Sequence, residues 1–277
     1  MPLEDPQTRL NQAWWNERAA FHRQTPLYQK HLARLQGGGL SLLPLEVDEL
    51  GDIRGRQVLH LQCHIGTDTL SLARLGATVT GVDFSEVAIE EARQLSSELG
   101  IPARFECCEI GALSARYSEA FDLVFSSHGV LSWLPDLTEW AAQIAACLRP
   151  GGHFYLSESH PLVWALADDN PADDGRWILG YPYLSRAEAC TFVESGSYAD
   201  RARSTEANET REWSWGLGDV VNALLGVGLR IEWLREHPVG FFAVNAAFQE
   251  GEDGHYRLPP PWHGHFPLTF TVRATKP

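Results

Sequence analysis

The sequence predicts an α/β fold, a mostly parallel sheet with helices on both faces. Three observations predict it. Short apolar runs alternate with amphipathic helical periods across residues 58–158, and such alternation implies right-handed crossovers between parallel strands. Glycine punctuates the ends of the periodic segments at Gly76, Gly100 and Gly151-Gly152. The chain closes on a period of two, with Leu268, Phe270, Val272 and Ala274 alternating with Thr269, Thr271 and Arg273.

Residues 9–36 read as one aromatic helical segment carrying Trp14, Trp15, Phe21 and Tyr28, ended by Gly37-Gly38-Gly39. Residues 40–56 read as a connecting helix and turn. The run 58–62 suits a buried strand, and 67–75 a helix with Leu72 and Leu75 inward. Residues 78–83 form the second strand. Ser85 then caps a helix whose Ala88, Ala92, Leu95 and Leu99 share one face. Residues 104–107 and 121–126 are the next strands. Leu137, Trp140, Ile144 and Leu148 mark a helix ended by Arg149-Pro150-Gly151-Gly152, before a fifth strand at 153–158. The pattern lapses over 160–213, where 190–198 is one strand of a small added sheet. It resumes with a helix face of Leu217, Val220, Val221, Leu224 and Leu225, then a strand at 229–236. The aromatic, Pro-rich loop 237–266 is long enough to cover a site.

One domain is expected, arranged as an N-terminal helical lid (1–50), a core (51–160), a cap insertion (161–213) and a completion of the sheet (214–277). With 44% hydrophobic and 21% charged residues the chain is of ordinary globular type, and no run approaches the ~18 apolar residues of a membrane span. The first residues lack the basic-then-apolar order of a signal peptide. The net charge is −14 without a Lys/Arg cluster, which disfavours a nucleic-acid partner. Five cysteines, an odd number without a CxxC pair, suit a reduced cytoplasmic protein. A homodimer stays open.

The first strand runs into His60-Leu61-Gln62-Cys63-His64-Ile65-Gly66-Thr67. Nucleotide cofactors bind beyond the C-terminal ends of parallel strands, where a glycine turn presents backbone N–H groups. Asp83 ends the second strand 17 residues after Gly66, placed to accept hydrogen bonds from ribose hydroxyls.

The run VLHLQCHIGTDTLSLARLGATVTGVDFS resembles the first two motifs of class I S-adenosylmethionine-dependent methyltransferases. It looks most like a bacterial branch with an HLQCxxGxDTL signature. AWWNERAAFH, FDLVFSSHGVLSWLPDL, LRPGGHFYLSESHP and SWGLGDVVNALLGVGLRIEWLREHP extend the likeness over nearly the whole chain. The resemblance implies a Rossmann-like, seven-stranded sheet with a final antiparallel strand, and S-adenosylmethionine as cofactor. It places Asp83 on the ribose, Phe84 and the following Ser85 beside the adenine, and Glu109 and Ile110 at the adenine amino group. Ser126 and Ser127 would lie near the methionine end, with Tyr28 packed over the cofactor mouth. The family pattern is acidic-x-Gly-x-Gly-x-Gly. Here His60 takes the acidic position, Gln62 and His64 replace two glycines on either side of Cys63, and only Gly66 remains. The loop is therefore expected to be shaped differently, with Gln62 and His64 bonding the methionine part.

His128 follows the fourth strand and is the first candidate for a catalytic base, against a core or turn histidine. His160, after the fifth strand, is the second. Trp133 and Trp164 are candidates to line a substrate pocket, against plain packing. His263, His265 and His255 lack a clear further ligand, so no metal is expected. The function expected is direct, in-line methyl transfer to a small-molecule acceptor. The rivals are an NAD-type oxidoreductase, a nucleic-acid methyltransferase and a noncatalytic S-adenosylmethionine-binding or regulatory protein.

Overall fold

The structure is a computed structural model that describes residues 5–166, 170–171, 175–184, 188–245 and 247–277. Parts of the expected cap insertion and of the loop 237–266 lie outside the described residues. Seven strands form the main sheet: β1 (Gln57–Leu61), β2 (Thr78–Asp83), β3 (Arg104–Cys107), β4 (Phe121–Ser127), β5 (Leu148–Ser159), β8 (Arg230–His237) and β11 (Thr269–Thr275). Their order is β3-β2-β1-β4-β5-β11-β8. The first five are parallel, and β11 runs antiparallel between β5 and β8. The order reverses at β1, so a crevice opens beyond the ends of β1 and β4.

The helices are α1 (Pro6–His22), α2 (Pro26–Gln36), α3 (Pro44–Leu50), α4 (Thr67–Arg74), α5 (Glu86–Leu99), α6 (Leu137–Cys147), α7 (Pro161–Ala165) and α8 (Leu217–Gly226). Two hairpins stand outside the main sheet. One pairs β6 (Cys190–Val193) with β7 (Glu209–Glu212), the other β9 (Gln249–Glu250) with β10 (Tyr256–Arg257).

Each sheet face has its own core. Leu59, Leu61, Val124, Leu156 and Val272 pack with Trp140 of α6 and Leu224 of α8 on one side. Val58, Val79, Phe125 and Tyr155 pack with Leu50 of α3 and Leu72 of α4 on the other. Trp140 is almost fully buried, and truncating such a side chain costs about 3–5 kcal/mol.

The structure corrects several boundaries. The 9–36 segment is two helices, because Pro26 has no N–H to continue α1 and instead starts α2 behind Thr25. Leu148 belongs to β5, and the strand runs through Pro150-Gly151-Gly152. The 190–198 strand stops at Val193. Leu225 is half exposed, so the buried face of α8 is narrower than its apolar pattern. Among the described residues, no helix is long and apolar enough to cross a membrane.

Candidate functional site

The turn after β1 has an unusual backbone. Gln62, His64 and Gly66 have φ of 51°, 48° and 78°, all in the left-handed region that glycine enters freely. These are the three positions that the motif gives to glycine. The two substitutions therefore sit on glycine-type backbone. Side-chain bonds hold it. Gln62 Nε2 donates to the Val130 carbonyl (3.0 Å), and His64 Nε2 shares a hydrogen bond with His22 Nδ1 (2.8 Å). Gln62 Oε1 is buried without a partner among the described residues. At Gly66 a Cβ would stand 2.6 Å from the Phe105 ring, so space as well as φ demands glycine.

Asp83 closes β2 directly beside this turn. One carboxylate oxygen accepts from the His64 N–H (2.8 Å), the other from the Ser85 N–H (2.9 Å). Burial raises its pKa to about 6, against the opposing pull of those N–H bonds. The carboxylate borders two cavities. The larger, about 310 Å³, reaches past Cys63, His64, Ser127 and His128. The smaller, about 80 Å³, runs between Cys108, Glu109 and Ile110 on one side and Trp133 and Trp140 on the other. Gln62, Asp83, Phe84 and Trp133 belong to both walls. Burial raises the pKa of Glu109.

Three residues expected at the cofactor are placed elsewhere. Gly66 shapes the turn but borders neither cavity. Ser85 accepts from the Ala88 N–H as the cap of α5 and donates to Asn16 of α1 (2.6 Å). Ser126 is fully buried within β4, because alternation along a strand turns it away from the face that Ser127 presents. His60 does reach the larger wall, but its Nδ1 is bonded to Thr69 Oγ1 (2.8 Å) and burial lowers its pKa to about 4. It is a neutral group at the motif's acidic position.

His128 also has a left-handed φ, 64°, and its ring lies 4.0 Å from that of Phe241. Its Nε2 meets the fully buried carboxylate of Glu46 on α3, and its Nδ1 lies 3.5 Å from Asp68 on α4. Burial alone would lower its pKa, yet Glu46 and Asp68 raise it to about 9. At neutral pH it is an imidazolium, which corrects the expectation of a proton acceptor. Asp68 is held below the usual carboxylate range, chiefly by His128 and His31 acting against burial, and accepts from Ser41 Oγ (2.5 Å). Buried Glu158 fixes the turn behind His128 by accepting from the Gly129 and Val130 N–H groups (2.7 Å each).

His160 borders none of the cavities. Its Nδ1 accepts from the Leu162 N–H (3.1 Å) as the cap of α7, and its Nε2 faces Glu236 at 3.0 Å. The structure gives it a structural place, not the catalytic one expected.

Aromatic rings cover the crevice. Trp15 of α1 lies edge-on to His64 and Trp133 (5.2 and 5.1 Å), and Tyr28 of α2 stacks on His22 and bonds Tyr198 (2.5 Å, oxygen to oxygen). Burial keeps His22 and His64 neutral, with pKa lowered to about 2 and about 3. Arg18 anchors this cover. It is fully buried against the Trp14 ring and donates to the carbonyls of Gly196 and Glu194. Trp133 and Trp164 border the larger cavity and also a third chamber of about 630 Å³ behind the β6–β7 hairpin.

Sequence reasoning missed Glu46, Asp68, His22, His31 and Tyr198. Asp68 stood inside the GxDTL signature and was legible there; the others carry no local signal.

Residues 58–152 match the profile of a family described as a methyltransferase domain. A ubiquinone biosynthesis O-methyltransferase of Cupriavidus pinatubonensis is 30% identical over 56% of this chain and 59% of its own length. One of Xanthomonas axonopodis pv. citri is 30% identical over 64% and 65%. The chain thus spans about three fifths of the length of the curated relatives it matches. Among solved structures, an S-adenosylmethionine-dependent methyltransferase of Mesorhizobium loti superposes with a TM-score of 0.55 at 20% identity, covering 84% of this chain and 96% of its own. A candidate enzyme of the same kind from Listeria monocytogenes gives 0.60 at 19%, covering 84% and 97%. Sheet order and these likenesses agree on the fold: the chain has the Rossmann-like fold of class I methyltransferases, and residues 58–152 are similar to a methyltransferase domain.

Proposed function

We propose that the protein transfers a methyl group from S-adenosylmethionine to a small-molecule acceptor by in-line displacement. The observation that carries this reading is the Asp83 carboxylate, buried at the end of β2 on the shared wall of two cavities. The residues fit the cofactor. Asp83 would take the ribose hydroxyls. Phe84, Glu109 and Ile110 would flank the adenine in the smaller cavity. Cys63, His64, Ser127 and Tyr28 would enclose the methionine part, with the unpartnered Gln62 Oε1 available to its amino group. His60 is neutral and bonded to Thr69, so Asp68 supplies the negative charge on that wall.

When bound, S-adenosylmethionine supplies an electrophilic methyl on a sulfonium. The protein's part is to hold the partners close and exclude water. Trp15, Tyr28 and Tyr198 close the crevice, while Trp133 and Trp164 separate it from the chamber. His128, as a cation fixed between Glu46 and Asp68, orders the crevice floor. The relatives' name favours oxygen as the acceptor atom. Five free cysteines and the net charge of −14 support a reduced, cytoplasmic setting without a nucleic-acid partner.

Calorimetry with S-adenosylmethionine tests the reading. We expect saturable binding that weakens at least about 100-fold in Asp83→Ala, as for a hydrogen-bonded charge removed from a buried site. No heat with the intact protein refutes it, and tight binding without turnover over a broad acceptor screen favours the noncatalytic alternative.

A further inference from the structure

Resting on the crevice reading, we propose that the chamber behind the β6–β7 hairpin takes a flat aromatic acceptor with a neutral hydroxyl, and that Glu212 binds that hydroxyl and accepts its proton. Glu212 ends β7 and borders both the larger crevice cavity and the chamber, at the point where the two adjoin. The one hydrogen bond to its carboxylate among the described residues comes from Thr210 Oγ1 (2.8 Å), and no cation pairs with it there. Trp133, Trp164, Tyr181, Phe192 and Trp213 line the chamber, so an aromatic ring finds stacking surface on several sides. The volume of about 630 Å³ suits a small organic molecule.

The charges at the junction choose the acceptor. Arg201 borders the same two cavities and repels an ammonium group. Glu194 on the neighbouring loop and Glu158 in the chamber wall repel a phenolate. A neutral hydroxyl suits both. Glu212 itself is tuned to accept a proton. Burial, helped by Glu194, raises its pKa to about 6, close to the value that serves a base at neutral pH. His128, already protonated, is not available for this step, and His160 faces elsewhere. In the transfer, the acceptor oxygen bonds the incoming methyl carbon, and the carbon–sulfur bond breaks with its electron pair going to sulfur. The hydroxyl proton passes to Glu212, which releases it to water afterwards.

The test uses 4-nitrophenol, whose phenolate absorbs visible light, added to the protein saturated with S-adenosylhomocysteine. We expect the wild type to bind the phenol form, with phenolate formation moved up by about one pH unit or more by the facing carboxylate. Glu212→Gln keeps the shape of the side chain and its bond from Thr210, so it should bind 4-nitrophenol but lose that shift. Phe192→Ala, altered on the chamber wall away from the crevice, should weaken 4-nitrophenol about 10-fold and leave S-adenosylhomocysteine affinity unchanged. Absence of 4-nitrophenol binding, an equal shift in Glu212→Gln, or preferred binding of phenethylamine overturns the proposal. Calorimetry with S-adenosylhomocysteine keeps the two readings apart: normal binding there with any of those results sinks the chamber alone, whereas its absence in wild type sinks the crevice as well.

Discussion

His128 Nε2 rests against the carboxylate of Glu46, a residue 82 positions earlier in the chain and fully buried. The pair ties the turn after β4 to α3. Because the folded pKa of His128, about 9, lies above the ordinary ~6.5, the ion pair stabilises fully below about pH 6.5 and is lost as pH rises through 9. Glu46→Gln should cost about 3 kcal/mol at pH 7. Denaturant unfolding between pH 6 and 10 should show wild-type stability falling toward the variant's. A constant gap across that range rules out the pairing.

Asp83 has linkage of the same sign, but here the form that burial favours is the neutral one. Its folded pKa of about 6 lies above the ~3.9 of an unfolded chain, so its ionised form destabilises above pH 6 and that penalty fades below about pH 4. The ionised form is also the one that, on the proposed reading, would accept the ribose hydroxyls. S-adenosylhomocysteine affinity, followed by calorimetry from pH 8 down to 5, should fall through pH 6 in the wild type and stay flat in Asp83→Asn. A flat wild-type profile contradicts the ribose assignment.

Two left-handed residues should respond oppositely to glycine. His64→Gly relieves about 1 kcal/mol of backbone strain but leaves buried His22 Nδ1 unpaired, at a cost of about 1–3 kcal/mol, so a net loss near 1 kcal/mol is expected. Glu119, with φ 48° and only an exposed pairing to Lys276, should be neutral or slightly stabilised by glycine. Denaturant midpoints that rise in both variants would show that the His22 contact is unimportant.

Gly66→Ala brings a Cβ to 2.6 Å from the Phe105 ring at a φ of 78°. A loss of about 2–4 kcal/mol is expected, with cofactor affinity falling alongside. Thermal unfolding that moves by less than a degree would show that the turn relaxes freely.

His160→Ala removes the side chain that caps α7 and should cost about 1 kcal/mol. Methyl transfer, once an acceptor is in hand, should stay within about twofold of wild type, where a base would lose about 100-fold or more. A loss of that size with normal stability would restore His160 to the chemistry.

Much of the fold was legible because its signals are local. Glycine stops, the Ser85 cap and the apolar faces of α4, α5 and α6 lie within a few residues of the structure they specify. Gly66 and Asp83 were legible from spacing along one strand–turn–helix unit. The walls of the crevice were not. The contacts of His22 with His64, Tyr28 with Tyr198 and Glu46 with His128 join positions 42, 170 and 82 apart, and periodicity within one element says nothing about such pairings. His160 misled for a related reason. A histidine between a buried strand and a proline suits a reaction centre and a helix cap equally, and only the direction of the following helix distinguishes them. Pro26 was the plainer oversight, since a proline in a helical pattern marks a new start.

Among the described residues, Trp133 is the one wall shared by all three spaces. Whatever settles against one face of that indole fixes the ring angle felt on its other sides. On the proposed reading, cofactor and acceptor are then not independent guests: the arrival of one alters the fit of the other, and thermodynamic reciprocity makes the influence equal in both directions.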